Sequence, residues 1–118
     1  MVSSISNNSN TYPGPFVDQA RLEYERLYAQ FMKDSKDPHA DPMKVQEDIQ
    51  NLLAFLNDPN NVHLLRIFAQ EAGFPFTVSE FNHAIDAAKK ALEDYTPDHP
   101  DQAWEYLTDM NAWTRYQP

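Results

Sequence analysis

Apolar residues return along this chain in three- and four-residue steps, and the steps break at prolines. Phe16, Val17, Ala20, Tyr24, Leu27, Tyr28 and Phe31 make a first stripe, as one buried face of a helix requires. It ends near Ser35. In Lys36-Asp37-Pro38-His39-Ala40-Asp41-Pro42 each proline biases its predecessor away from helix, so this segment reads as a loop. A second helix starts near Pro42, with Asp41 as N-cap and proline in the first turn. Its stripe is Val45, Ile49, Leu52, Leu53 and Leu56. Asn57-Asp58-Pro59-Asn60 repeats the cap-plus-proline device, and a third helix follows with Leu64, Leu65, Phe68, Ala69 and Ala72 inward.

Gly73 stands where a left-handed C-terminal residue is wanted, a conformation glycine takes at little cost. Thr77-Val78-Ser79-Glu80 is a capping box, and Phe76 and Phe81 are spaced as its hydrophobic staple. The fourth helix runs to about Asp94 on Phe81, Ala84, Ile85, Ala88 and Leu92. Tyr95-Thr96-Pro97-Asp98-His99-Pro100 breaks the chain. A fifth helix, from Asp101 to about Arg115, puts Ala103, Trp104, Leu107, Met110 and Asn111 on one face and Trp113 off it. No alternating run reaches the length of a strand. Residues Met1 to Pro15 are rich in Ser and Asn and lack periodicity, which predicts a mobile arm. The expected fold is all-α: a compact bundle of about five short helices, one domain over residues 16–118, behind a flexible arm over residues 1–15.

Charge narrows the function. The 118 residues carry 18 acids and 9 bases, a net charge of −9. That disfavours direct nucleic-acid binding, which needs clustered Lys and Arg, and docking on anionic lipid. The absence of cysteine removes disulfides, thiolate metal sites and cysteine nucleophiles, and fits a cytoplasmic setting. No apolar run approaches the roughly 18 residues of a membrane span. The N-terminus has neither the basic nor the apolar region of a secretory signal.

The stretch from Asp48 to Pro59, then Leu64-Leu65, then Glu71-Ala72-Gly73-Phe74-Pro75-Phe76-Thr77, resembles the Nif11-like domain of nitrogen-fixing bacteria and cyanobacteria. The likeness spans about Val45 to Leu92. One branch of that family forms leader regions of peptide natural-product precursors, which modifying enzymes recognise. This chain departs from that branch: no Gly-Gly site follows the fourth helix, and no core peptide rich in Cys, Ser or Thr is present. What the resemblance implies is a small helical module bound by another protein.

Catalytic chemistry has thin support. Glu80-x-x-His83 puts both side chains on one helix face, but the di-iron arrangement uses that motif twice and here it occurs once. His39 and His99 sit in proline-bounded loops beside aspartates, and His63 stands apart; none has the spacing of a designed zinc site. Ser35 and Ser79 fall at helix ends where capping accounts for them. Two glycines, Gly14 and Gly73, are too few for a phosphate-binding loop. The expectation is a non-enzyme without cofactor or metal.

The C-terminal third carries the clearest functional signal. From Ala91 onward six acids face one base, Arg115, with Trp104, Tyr106, Trp113 and Tyr116 interleaved. Aromatics flanked by charge are the composition of interface hot spots. Trp104 and Leu107 belong to the core stripe. Glu105, Tyr106, Asp109, Trp113 and Tyr116 are the candidate contacts for a partner protein with a basic or mixed apolar surface, and a homodimer stays open. The leading expectation is therefore an acidic helical protein-binding module. Two alternatives are an inhibitor that mimics nucleic-acid charge and a metal-binding helical protein using Glu80 and His83.

Overall fold

The computed structural model describes residues 15–114, with side chains as far as Met110. Five helices follow one another: α1 (Pro15–Lys36), α2 (Pro42–Leu56), α3 (Pro59–Ala72), α4 (Val78–Glu93) and α5 (Asp101–Thr114). Among the described residues there is no strand, and one isolated bridge joins Thr96 to His99 in the α4–α5 link. The N-terminal arm lies outside the described residues, and α1 already begins at Pro15. No described helix is long and apolar enough to cross a membrane.

Helix ends fall where local chemistry sets them. The Asp41 carboxylate accepts from Met43 N at 2.9 Å, and the Asp58 carboxylate accepts from Asn60 N at 2.9 Å, each with proline in the first turn. Each satisfies an amide that the first helical turn leaves without an internal acceptor. Gly73 closes α3 at φ 89°, with Gly73 N donating to Gln70 O and Phe74 N to Ala69 O, both at 3.0 Å. The Thr77 hydroxyl accepts from Glu80 N at 3.0 Å, while Thr77 N donates to the Glu80 carboxylate at 2.7 Å. The staple also forms, with the Phe76 and Phe81 rings 5.3 Å apart.

The core gathers Tyr24 and Phe31 of α1, Leu52 and Leu56 of α2, Leu65 of α3, Phe81 and Leu92 of α4, and Leu107 and Met110 of α5. Burial of a side chain of this size stabilises by about 1.5–3 kcal/mol. The Tyr24 hydroxyl, fully buried, donates to Leu107 O at 3.1 Å and so ties α1 to α5. Burial, and secondarily Tyr28 beside it, pushes the Tyr24 phenol well above the ordinary tyrosine range, keeping it a donor. Phe16 departs from the expected stripe: it is 67% exposed at the first turn of α1. Phe55, absent from the expected α2 stripe, is buried, and Leu53 is half-buried. The α2 face runs through positions 45, 48, 49, 52, 55 and 56, three- and four-residue steps that leave Leu53 at its edge.

That same face buries a charge-bearing side chain. Asp48 of α2 and Asp34 of α1 are both buried polar residues where the two helices meet. Gln30 Nε2 donates to Asp34 at 2.8 Å. Asp48 Oδ2 has no donor as a carboxylate. Burial first, then the contact with Asp34, raises the Asp48 pKa to about 7, while the bond from Asp48 and that from Gln30 lower Asp34. A neutral Asp48 donates to an ionised Asp34, and the pair titrates as a unit.

Candidate functional site

Helix α4 presents three faces. Phe81, Ile85, Ala88 and Leu92 turn into the core. On one flank, Glu80, His83, Ala84 and Ala87 follow the i, i+3, i+4, i+7 pattern and line a groove of about 760 Å³. Tyr106 and Asp109 of α5 form its other wall, and Phe74, just after the glycine stop, with Ser79 completes it. The lining is mostly apolar, from Phe74, Ala84, Ala87 and the Tyr106 ring, with two carboxylates and an imidazole among it. The capping box fixes the end of the groove: Glu80 is held by Thr77, which sets where its carboxylate stands at the first turn of α4. Phe74 is held by its ring contact with Phe76, 5.9 Å between centroids, and Phe76 in turn by Phe81.

The candidate contacts divide at this groove. Tyr106 and Asp109 line it, Tyr106 half-buried against the core and Asp109 exposed. Glu105 is exposed and is not part of the lining. The side chains of Trp113 and Tyr116 lie outside the described residues. Trp104 is half-buried against the core; its indole N–H donates to Ser35 Oγ at 2.8 Å, and Lys36 Nζ stands 5.2 Å from its ring. Ser35 thus anchors α5 to the end of α1, a role beyond its place at a helix end. Ser79 lies in the groove lining, and the cap of α4 belongs to Thr77 alone.

Phe74 and Ala87 escaped sequence reasoning as contacts, His83 was read only with Glu80 as a metal pair, and Ala84, expected on the core stripe, is half-buried in the groove lining instead. The signal was present in the α4 spacing, which repeats on the flank as well as on the core face. Glu80 and His83 do share a face, as the spacing requires, and Asp109 approaches the same groove. Among the described residues, however, no three His, Asp or Glu side chains converge as metal ligands.

A second cleft occupies the opposite flank of α4. Asn82, Ile85, Asp86 and Lys89 repeat the same spacing two residues on, and they face Asn57, Pro59, Val62, His63 and Arg66 across a space of about 440 Å³. Its polar lining is cationic and amide-rich. No family profile matches this chain, and neither a curated protein nor a solved structure matches it.

Proposed function

We propose that this protein is a non-enzymatic, cytoplasmic binding module whose α4–α5 groove receives a segment of another protein. The observation that carries this reading is the groove itself: about 760 Å³, floored by Phe74, Ala84, Ala87 and Tyr106, with Glu80 and Asp109 at hand. Concave apolar sites with a few placed polar groups are the usual form of a binding pocket. The fitting occupant is an apolar side chain flanked by Lys or Arg. Tyrosine supplies contact area at low entropic cost, and the carboxylates select basic neighbours. A net charge of −9 on the whole chain would speed encounter with a basic partner. The Nif11-like resemblance of residues 45–92 supports the same reading, a small helical module read by another protein.

The test is a peptide-display selection on the full chain, with Ala87→Trp as counter-target, since a large ring at position 87 fills the groove from the solvent side. The expected result is enrichment of sequences that pair an apolar residue with Lys or Arg, lost on the variant. Enrichment that survives Ala87→Trp unchanged would place binding elsewhere and defeat the reading.

A further inference from the structure

We propose that the cleft between α3 and α4 is a binding site for a soluble phosphomonoester dianion, held by Arg66 and Lys89. It lies on the flank of α4 opposite the protein-binding groove and does not depend on that reading.

The decisive residue is Arg66. Of the seven other described basic side chains, Arg21, Arg26, Lys44, Lys89 and Lys90 each have a carboxylate within ion-pair distance on their own helix, while Lys33 and Lys36, at the end of α1, have none. Among the described residues no carboxylate pairs with Arg66, although acids outnumber bases two to one. Its Nε is buried and has no hydrogen-bond partner. A buried donor without an acceptor is costly, and a guanidinium more so than a neutral group. Nη2 lies 2.8 Å from His63 Nδ1. Guanidinium has only donors, so Nδ1 accepts and the ring proton sits on Nε2, which leaves His63 one N–H of its own.

The other wall supplies the second charge. Lys89 lines the cleft and is 28% exposed; Asp86, 3.7 Å away, is 76% exposed and is the one carboxylate in the lining. It takes up part of the Lys89 charge and none of that on Arg66. Asn57 and Asn82 add amide donors. A guanidinium charge with no carboxylate beside it, a partly buried ammonium and neutral N–H groups around one space match the oxygens and double charge of a phosphomonoester. The volume of about 440 Å³ admits a small phosphorylated molecule.

The full chain would be titrated with inorganic phosphate at constant ionic strength in chloride buffer, with backbone amide resonances as the readout. Saturable shifts are expected at residues 57, 62–66 and 82–89. Arg66→Gln should weaken binding at least tenfold and Lys89→Gln several-fold, whereas Arg26→Gln, an exposed cation of α1, should change nothing. Helical circular dichroism identifies a variant that fails to fold, and Lys89→Gln then decides. Absence of saturation, or equal affinity in both cleft variants and the native chain, would overturn the site. Acetate binding as tightly as phosphate would overturn the phosphate assignment. Vesicles bearing phosphoinositide should not retain a chain of this net charge, and retention without free-phosphate binding would overturn the soluble ligand.

Discussion

The two flanks of α4 use one helical spacing to make opposite surfaces. Residues 80, 83, 84 and 87 wall an apolar groove that holds Glu80 and Asp109, and residues 82, 85, 86 and 89 wall a polar cleft that holds Arg66 and Lys89 with Asp86. An offset of two positions turns about 200° around a helix, enough to separate two environments with a core face between them. A helix that serves as one wall of two sites must be held at both ends. Here the Thr77–Glu80 box holds its start, and Phe81 and Leu92 hold its length. The difference between the flanks comes from α4 itself, Ala84 and Ala87 on one side against Asp86 and Lys89 on the other, and from its partners. α5 brings Tyr106 and Asp109, and α3 brings His63 and Arg66.

The strongest way to break this comparison is to remove what both flanks share. Phe81 is fully buried against Phe76, so Phe81→Ala should cost about 3–5 kcal/mol in chemical denaturation and weaken ligand binding on both flanks together. Loss at one flank with the other intact would show that α4 does not position them jointly.

Asp48 provides a control remote from both sites. Its pKa is raised from 3.8 to about 7, so the native state keeps a proton that the unfolded chain releases over that window. Stability contributed by this group therefore falls as pH rises from about 4 to about 7 and levels off above it. Asp48→Asn keeps a neutral donor to Asp34, and should stabilise by about 2 kcal/mol at pH 8, with the gain shrinking toward pH 4. Unfolding midpoints across pH check this. Neither cleft lining contains Asp48, so binding at both flanks should be unchanged.

The smallest effect should sharpen the contrast. Thr77→Ala removes the acceptor for Glu80 N and should cost ~1 kcal/mol. Faster amide exchange is expected in the first turn of α4, where the groove ends, with the cleft around Lys89 less affected. Equal exchange at both ends would mean the cap does not set the groove.

The fold was legible because its stops and starts are written in short-range chemistry. Asp41, Asp58 and Thr77 cap, Gly73 terminates, and Phe76 clips Phe81, each within a few residues of its partner. The corner from Gly73 to Phe81 could be read nearly atom by atom. The candidate site was legible only in part. Tyr106 and Asp109 stood out through the composition of α5, but their neighbours across the groove come from α4, and which flank meets which helix depends on packing between distant segments. Arg66 and Asp48 were missed for a related reason. Nothing adjacent in sequence announces that Arg66 lacks a carboxylate, or that Asp48 meets Asp34 of α1. The step from Val45 to Asp48 did place an acid on an apolar face, a conflict between pattern and residue type that marks a special site.

The central claim is that protein binding belongs to the α4–α5 flank. The most direct measurement is calorimetric titration of a selected basic-apolar peptide into the native chain, Ala87→Trp and Lys89→Ala. We expect affinity to fall at least tenfold for Ala87→Trp and to hold within about twofold for Lys89→Ala, a tenfold loss being about 1.4 kcal/mol. Native-like affinity in Ala87→Trp together with a loss in Lys89→Ala would contradict the assignment.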